Sequence, residues 1–98
     1  MNLQWDQRMV LNACRLEYNP NITEEQFIQE YSHLMDKILK RKYNYNPEIT
    51  TLEDYAKDYW IHLIPNEIID YVDWERLGES LCDSHIIVNR YGTVVWWD

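Results

Sequence analysis

Three histidines and two cysteines are the residues of this chain best suited to metal binding or nucleophilic catalysis. His33, His62 and His85 stand far apart and lack metal-ligand spacing. Cys82 and His85 pair on paper as a thiol and its base. No activating context or oxyanion loop accompanies them, and the chain's two glycines leave little material for one. A Gly-rich phosphate loop is missing for the same reason. The sequence therefore predicts no catalytic residue, no metal site and no cofactor, and a protein that is not an enzyme.

Carboxylates carry the stronger pattern. Glu75, Glu79 and Asp83 fall at i, i+4 and i+8, which on a helix places them on one face about 6 Å apart. Asp54 and Asp58 repeat the spacing upstream, with Glu53 adjacent, and Glu67, Asp70 and Asp73 follow one another at intervals of three. Ten acids lie between Glu48 and Asp83 against only Lys57 and Arg76, so most i, i+4 ion pairs are forgone. A solvated acidic face is the plain reading of such a run. The functional reading is a surface that imitates a nucleic-acid backbone. Some of these residues also have local duties: Asp73 is placed to cap a helix and Glu53 to close a capping box with Thr50.

The elements that must carry these side chains are mostly helical. Trp5, Met9, Ala13 and Leu16, with Val10 and Cys14 beside them, predict a helix over about 4–17, which Asn19-Pro20-Asn21 ends. Thr23 and Gln26 form a capping box for a second helix, whose stripe of Phe27, Tyr31, Leu34, Met35 and Ile38 runs unbroken to about Lys42. Lys37, Lys40, Arg41 and Lys42 fill its last turns as dipole complement and solvated face. Residues 43–47 read as a loop. Leu52, Tyr55, Ala56, Tyr59 and Leu63 line a third helix that Pro65 stops. A short helical turn over 66–72 and a last helix over about 74–83 follow.

The period changes at the end. His85–Asn89 and Thr93–Trp97 are β-branched and aromatic around Arg90-Tyr91-Gly92, which predicts a hairpin. Two strands alone are marginal, so the hairpin must pack on helices or gain a third strand. Strand alternation sends Trp96 and Trp97 to opposite faces, and an exposed edge beside them would invite a partner or a second copy. The predicted architecture is α+β, a small and mostly helical domain of about four helices with a C-terminal β-hairpin.

The whole chain has 98 residues, which allows one domain. Leu, Ile, Val and Phe make up about a quarter of it and 14% is aromatic, enough to fold. The net charge is −8. Residues 1–42 balance six acids with six bases, and residues 43–98 carry the whole excess. That balance argues against direct nucleic-acid binding and against an anionic membrane surface. It suits a basic partner. The opening residues do not read as a signal peptide, no apolar run approaches the length of a membrane span, and the cysteines read as reduced thiols. A cytoplasmic protein is expected.

Several segments of the C-terminal half resemble the ArdA-type antirestriction proteins. These are Thr51-Leu52-Glu53-Asp54-Tyr55-Ala56, Ile64-Pro65, Tyr71-Val72-Asp73-Trp74-Glu75-Arg76-Leu77 and Gly92-Thr93-Val94-Val95-Trp96. The resemblance covers about residues 50–97, roughly half the chain, while family members are usually longer, elongated and three-part. It implies a phage or mobile-element protein that imitates bent duplex DNA and blocks a type I restriction-modification enzyme in the bacterial cytoplasm, often as a dimer. Glu53, Asp54, Asp58, Asp70, Asp73, Glu75, Glu79 and Asp83 would be the mimic residues. Together with Glu67 they form the expected contact with a basic-grooved defence protein, restriction-modification or CRISPR, with Trp96 and Trp97 as a dimer or partner contact. A small immunity or regulatory module that docks through the hairpin is the alternative.

Overall fold

The computed structural model describes residues 2–97. Its elements run α1 (Trp5–Tyr18), α2 (Glu24–Glu30), α3 (Ser32–Leu39), β1 (Tyr43–Asn46), α4 (Leu52–Trp60), α5 (Trp74–Leu81), β2 (Ile86–Asn89) and β3 (Gly92–Trp96), with 3₁₀ turns at Ile61–Leu63 and Ile69–Tyr71. The fold is α+β, five helices and one antiparallel three-stranded sheet ordered β1-β3-β2.

The hairpin does gain its third strand, and from a segment that reads as a loop. Tyr43 pairs with Trp96 and Asn46 with Thr93, while Ile86 pairs with Val95 on the other side. Strand β3 is therefore central, and the edge beside Trp96 is occupied by β1 rather than open to a second copy. Arg41 starts that strand by taking a left-handed backbone at φ 53°, and Lys42 N–H donates back to the Lys37 carbonyl at 2.9 Å. This is a helix C-terminal turn that usually recruits glycine. The Arg41 guanidinium is held there by the Asp6 carboxylate, which also accepts from the Tyr43 hydroxyl at 2.7 Å.

The body core lies between α1 and the sheet, closed by α2 and α3. Val10, Leu11, Ala13 and Cys14 from α1 meet Phe27, Met35, Ile38, Ile87, Val94 and Trp96. The buried face of α1 is rotated from the predicted stripe: Gln7 is inside and donates to the Ile38 carbonyl, while Trp5 is exposed. The long predicted second helix is two helices, because Tyr31 leaves helical geometry at φ −115°, ψ 48°. Its ring stacks on Phe27 at 4.5 Å and on Tyr18 at 6.2 Å.

Helices α4 and α5 form a second, separate packing unit. They lie against each other, and only α4 touches the sheet appreciably, at β2. Ala56 and Trp74 are buried between them but do not belong to the body core. Gly78 lets the helices approach: a Cβ there would sit 2.2 Å from the Leu52 carbonyl oxygen. The molecule measures 51 × 25 × 21 Å with a radius of gyration of 15.2 Å. A compact chain of this length would have roughly 12.5 Å. The difference is the α4–α5 arm.

Candidate functional site

The arm, residues 47–84, holds ten acids and two bases, a net −8 that equals the charge of the whole chain. Local chemistry sets its helix starts. Thr51, not Thr50, caps α4, its hydroxyl accepting from the Asp54 N–H at 3.1 Å, so Glu53 is no capping-box partner. Glu53 instead accepts from Lys57 Nζ at 2.9 Å, one turn along. That hydrogen bond raises the Lys57 pKa and confines the base to its own helix. Asp73 caps α5 as predicted, accepting from the Arg76 N–H at 3.1 Å.

All nine predicted mimic acids, Glu53, Asp54, Asp58, Glu67, Asp70, Asp73, Glu75, Glu79 and Asp83, are exposed. Asp73, Glu75 and Glu79 border one shallow surface depression with Arg76. Asp83 leaves the predicted helical row. The helix ends at Leu81, Cys82 turns extended at ψ 136°, and the Asp83 carboxylate folds back to accept the His85 N–H at 2.8 Å. The i, i+4, i+8 row is thus two helical carboxylates plus one at the arm's root.

Of the two C-terminal tryptophans, Trp96 is 5% exposed and Trp97 47%. Trp96 packs edge-on against Tyr43 at 6.0 Å. It is a core residue, and the expectation that it contacts a partner is corrected on that ground. Only Trp97 remains available of the pair.

His85 Nδ1 lies 3.4 Å from Asp83, and burial together with the Asp83 and Glu17 charges raises the Cys82 thiol. An activated thiol needs the opposite shift. Among the described residues no three His, Cys, Asp or Glu side chains converge as a metal set.

The far end of the arm holds what the sequence pattern hides. Tyr59 is 60% exposed, Leu63 68%, Ile68 50% and Tyr71 86%. Two of these belong to the predicted stripe of the third helix, but α4 ends at Trp60, and beyond it the stripe faces no partner. Ile68 N–H donates to the Pro65 carbonyl and Tyr71 N–H to that of Ile68, so tight turns close the tip. The one sequence signal was the lack of polar residues over Ile61–Pro65, apart from His62, in an otherwise acidic stretch.

Comparisons with family models, curated proteins and solved structures give no match to this chain. Among the described residues no helix is long and apolar enough to cross a membrane.

Proposed function

We propose that the chain is a non-enzymatic, DNA-mimicking inhibitor of a bacterial defence nuclease. A type I restriction-modification enzyme is the first candidate target, through the ArdA-type resemblance, and a CRISPR effector the second. The observation that supports this most is the concentration of net −8 on one projecting arm while the body is neutral. From Leu52 through Leu63 the arm runs about 20 Å, at 1.5 Å per α-helical and 2.0 Å per 3₁₀ residue. Duplex DNA carries about 12 phosphate charges over that length. The arm therefore reaches roughly two-thirds of duplex charge density over about half a helical turn. It occupies a short stretch of a basic channel, blocks DNA sterically, and is steered there by its field.

The rival reading, an immunity or regulatory module docking through the C-terminal hairpin, has little to work with. β3 is the central strand and Trp97 the one exposed tryptophan of the hairpin. The test is inhibition of a purified type I restriction enzyme, with a Glu75→Lys, Glu79→Lys variant beside wild type. Inhibition should fall at least tenfold in the variant, weaken steeply as salt rises, and be competed by duplex DNA. Inhibition indifferent to the variant, salt and duplex would end the proposal.

A further inference from the structure

The acids account for steering, but not for the apolar tip. Tyr59, Leu63, Ile68 and Tyr71 lie within one short segment closing the arm, and each is at least half exposed. Ile68 and Tyr71 bracket the 3₁₀ turn Ile69–Tyr71, the Tyr71 N–H donating to the Ile68 carbonyl at 3.0 Å. Side chains of this size at these exposures leave several hundred Å² of largely apolar surface uncovered within one stretch of chain. A DNA mimic acting by charge alone has no use for such a surface. Glu67 and Asp70, both exposed, stand within the same segment.

We infer that the tip is a docking site for a basic amphipathic helix of a partner protein. The inference rests on the arm being a binding surface, as in the function proposed above, and adds the chemistry of what the tip receives. Charge complementarity selects this occupant. Tip-to-tip pairing with a second copy would bring Glu67 and Asp70 of both chains together, whereas a helix with Lys or Arg flanking a leucine face satisfies acids and apolar side chains at once. The acids set the encounter rate, and burial of Leu63 and Tyr71 sets the residence time.

The experiment titrates the isotopically labelled full chain with three synthetic helices of about 14 residues: Leu/Lys amphipathic, Gln/Lys of equal charge, and Leu/Gln without charge. The Leu/Lys helix should shift amide signals over 59–71 and bind about tenfold tighter than either control. A Leu63→Ser, Tyr71→Ser variant, altered only at exposed positions, should lose that tenfold advantage while its Gln/Lys binding stays unchanged. Equal binding of the Leu/Lys and Gln/Lys helices, or shifts that avoid the tip, would overturn the inference. So would tip signals that move on concentrating the protein alone, which would make a second copy the occupant. Duplex competition for the nuclease depends on the acids, so failure here leaves that test standing, and failure there leaves this one readable.

Discussion

Replacing Gly78 by alanine sets two effects of known size against each other. In a helix interior the change is favourable by about 1 kcal/mol through backbone entropy and propensity. Here the new Cβ would lie 2.2 Å from the Leu52 carbonyl oxygen and 2.7 Å from its carbon. Both obstacles are backbone, so no side-chain rotation relieves them. Ordinary contact begins at 3.4 Å, and α4 and α5 must part by roughly 1 Å to reach it. That separation also loosens Trp74 and Ala56, the buried residues between the helices. Overpacking of this kind costs roughly 3 kcal/mol, the upper end of its usual range, because rigid elements must move. The net is a loss of about 2 kcal/mol, confined to the arm because its packing is separate from the body core. Hydrogen exchange reads this directly. Amides over 56–60 and 77–81 should exchange about 30-fold faster in Gly78→Ala, while those over 10–14 in α1 keep their protection. Arm protection that is unchanged or increased would refute the close-approach argument. Equal loss in arm and body would refute the separation of the two units. If the arm carries the function, the same variant loses inhibition.

Three further outcomes follow from the body. Burial acts to raise the Asp6 carboxyl, but the Tyr43 and Arg41 hydrogen bonds outweigh it and hold the pKa below its ordinary 3.8. A depressed carboxylate stabilises above its unfolded pKa and loses that contribution as pH falls through the folded one. Asp6→Asn should therefore lower the melting temperature at neutral pH, and the difference should close below about pH 4 in thermal scans. Burial, reinforced by Glu17, pushes the Cys14 thiol up to about 12, so a thiol reagent at pH 8 should label the half-exposed Cys82 first and Cys14 only on unfolding. Trp96→Ala should cost roughly 3–5 kcal/mol in denaturant unfolding, and Trp97→Ala, at a half-exposed side chain, clearly less.

The helix starts at Thr23 and Asp73 were legible from sequence because capping is local: the hydroxyl or carboxylate and the N–H it accepts lie three residues apart. The same holds for the hairpin, where Gly92 takes φ 124° at the turn, a backbone that glycine adopts freely. The charge of the arm needed no structure either, since nothing in the arm neutralises it beyond two bases. Other features had no local signal. Tyr43–Asn46 is a strand only because β3, about 50 residues away, supplies its hydrogen bonds. Tyr31 leaves helical geometry in the middle of a continuous apolar stripe, its ring stacked on Phe27 and Tyr18. Alternation predicted that Trp96 and Trp97 part company, and only the packing of the helices on one face of the sheet decided which one is buried. Periodicity makes residues apolar on one side of an element, but whether another element arrives to cover that side is a matter of packing. At Tyr59 and Leu63 none does. The sequence alone thus determined the acidic excess of the arm, and the tertiary structure decided which of the arm's apolar side chains stay uncovered.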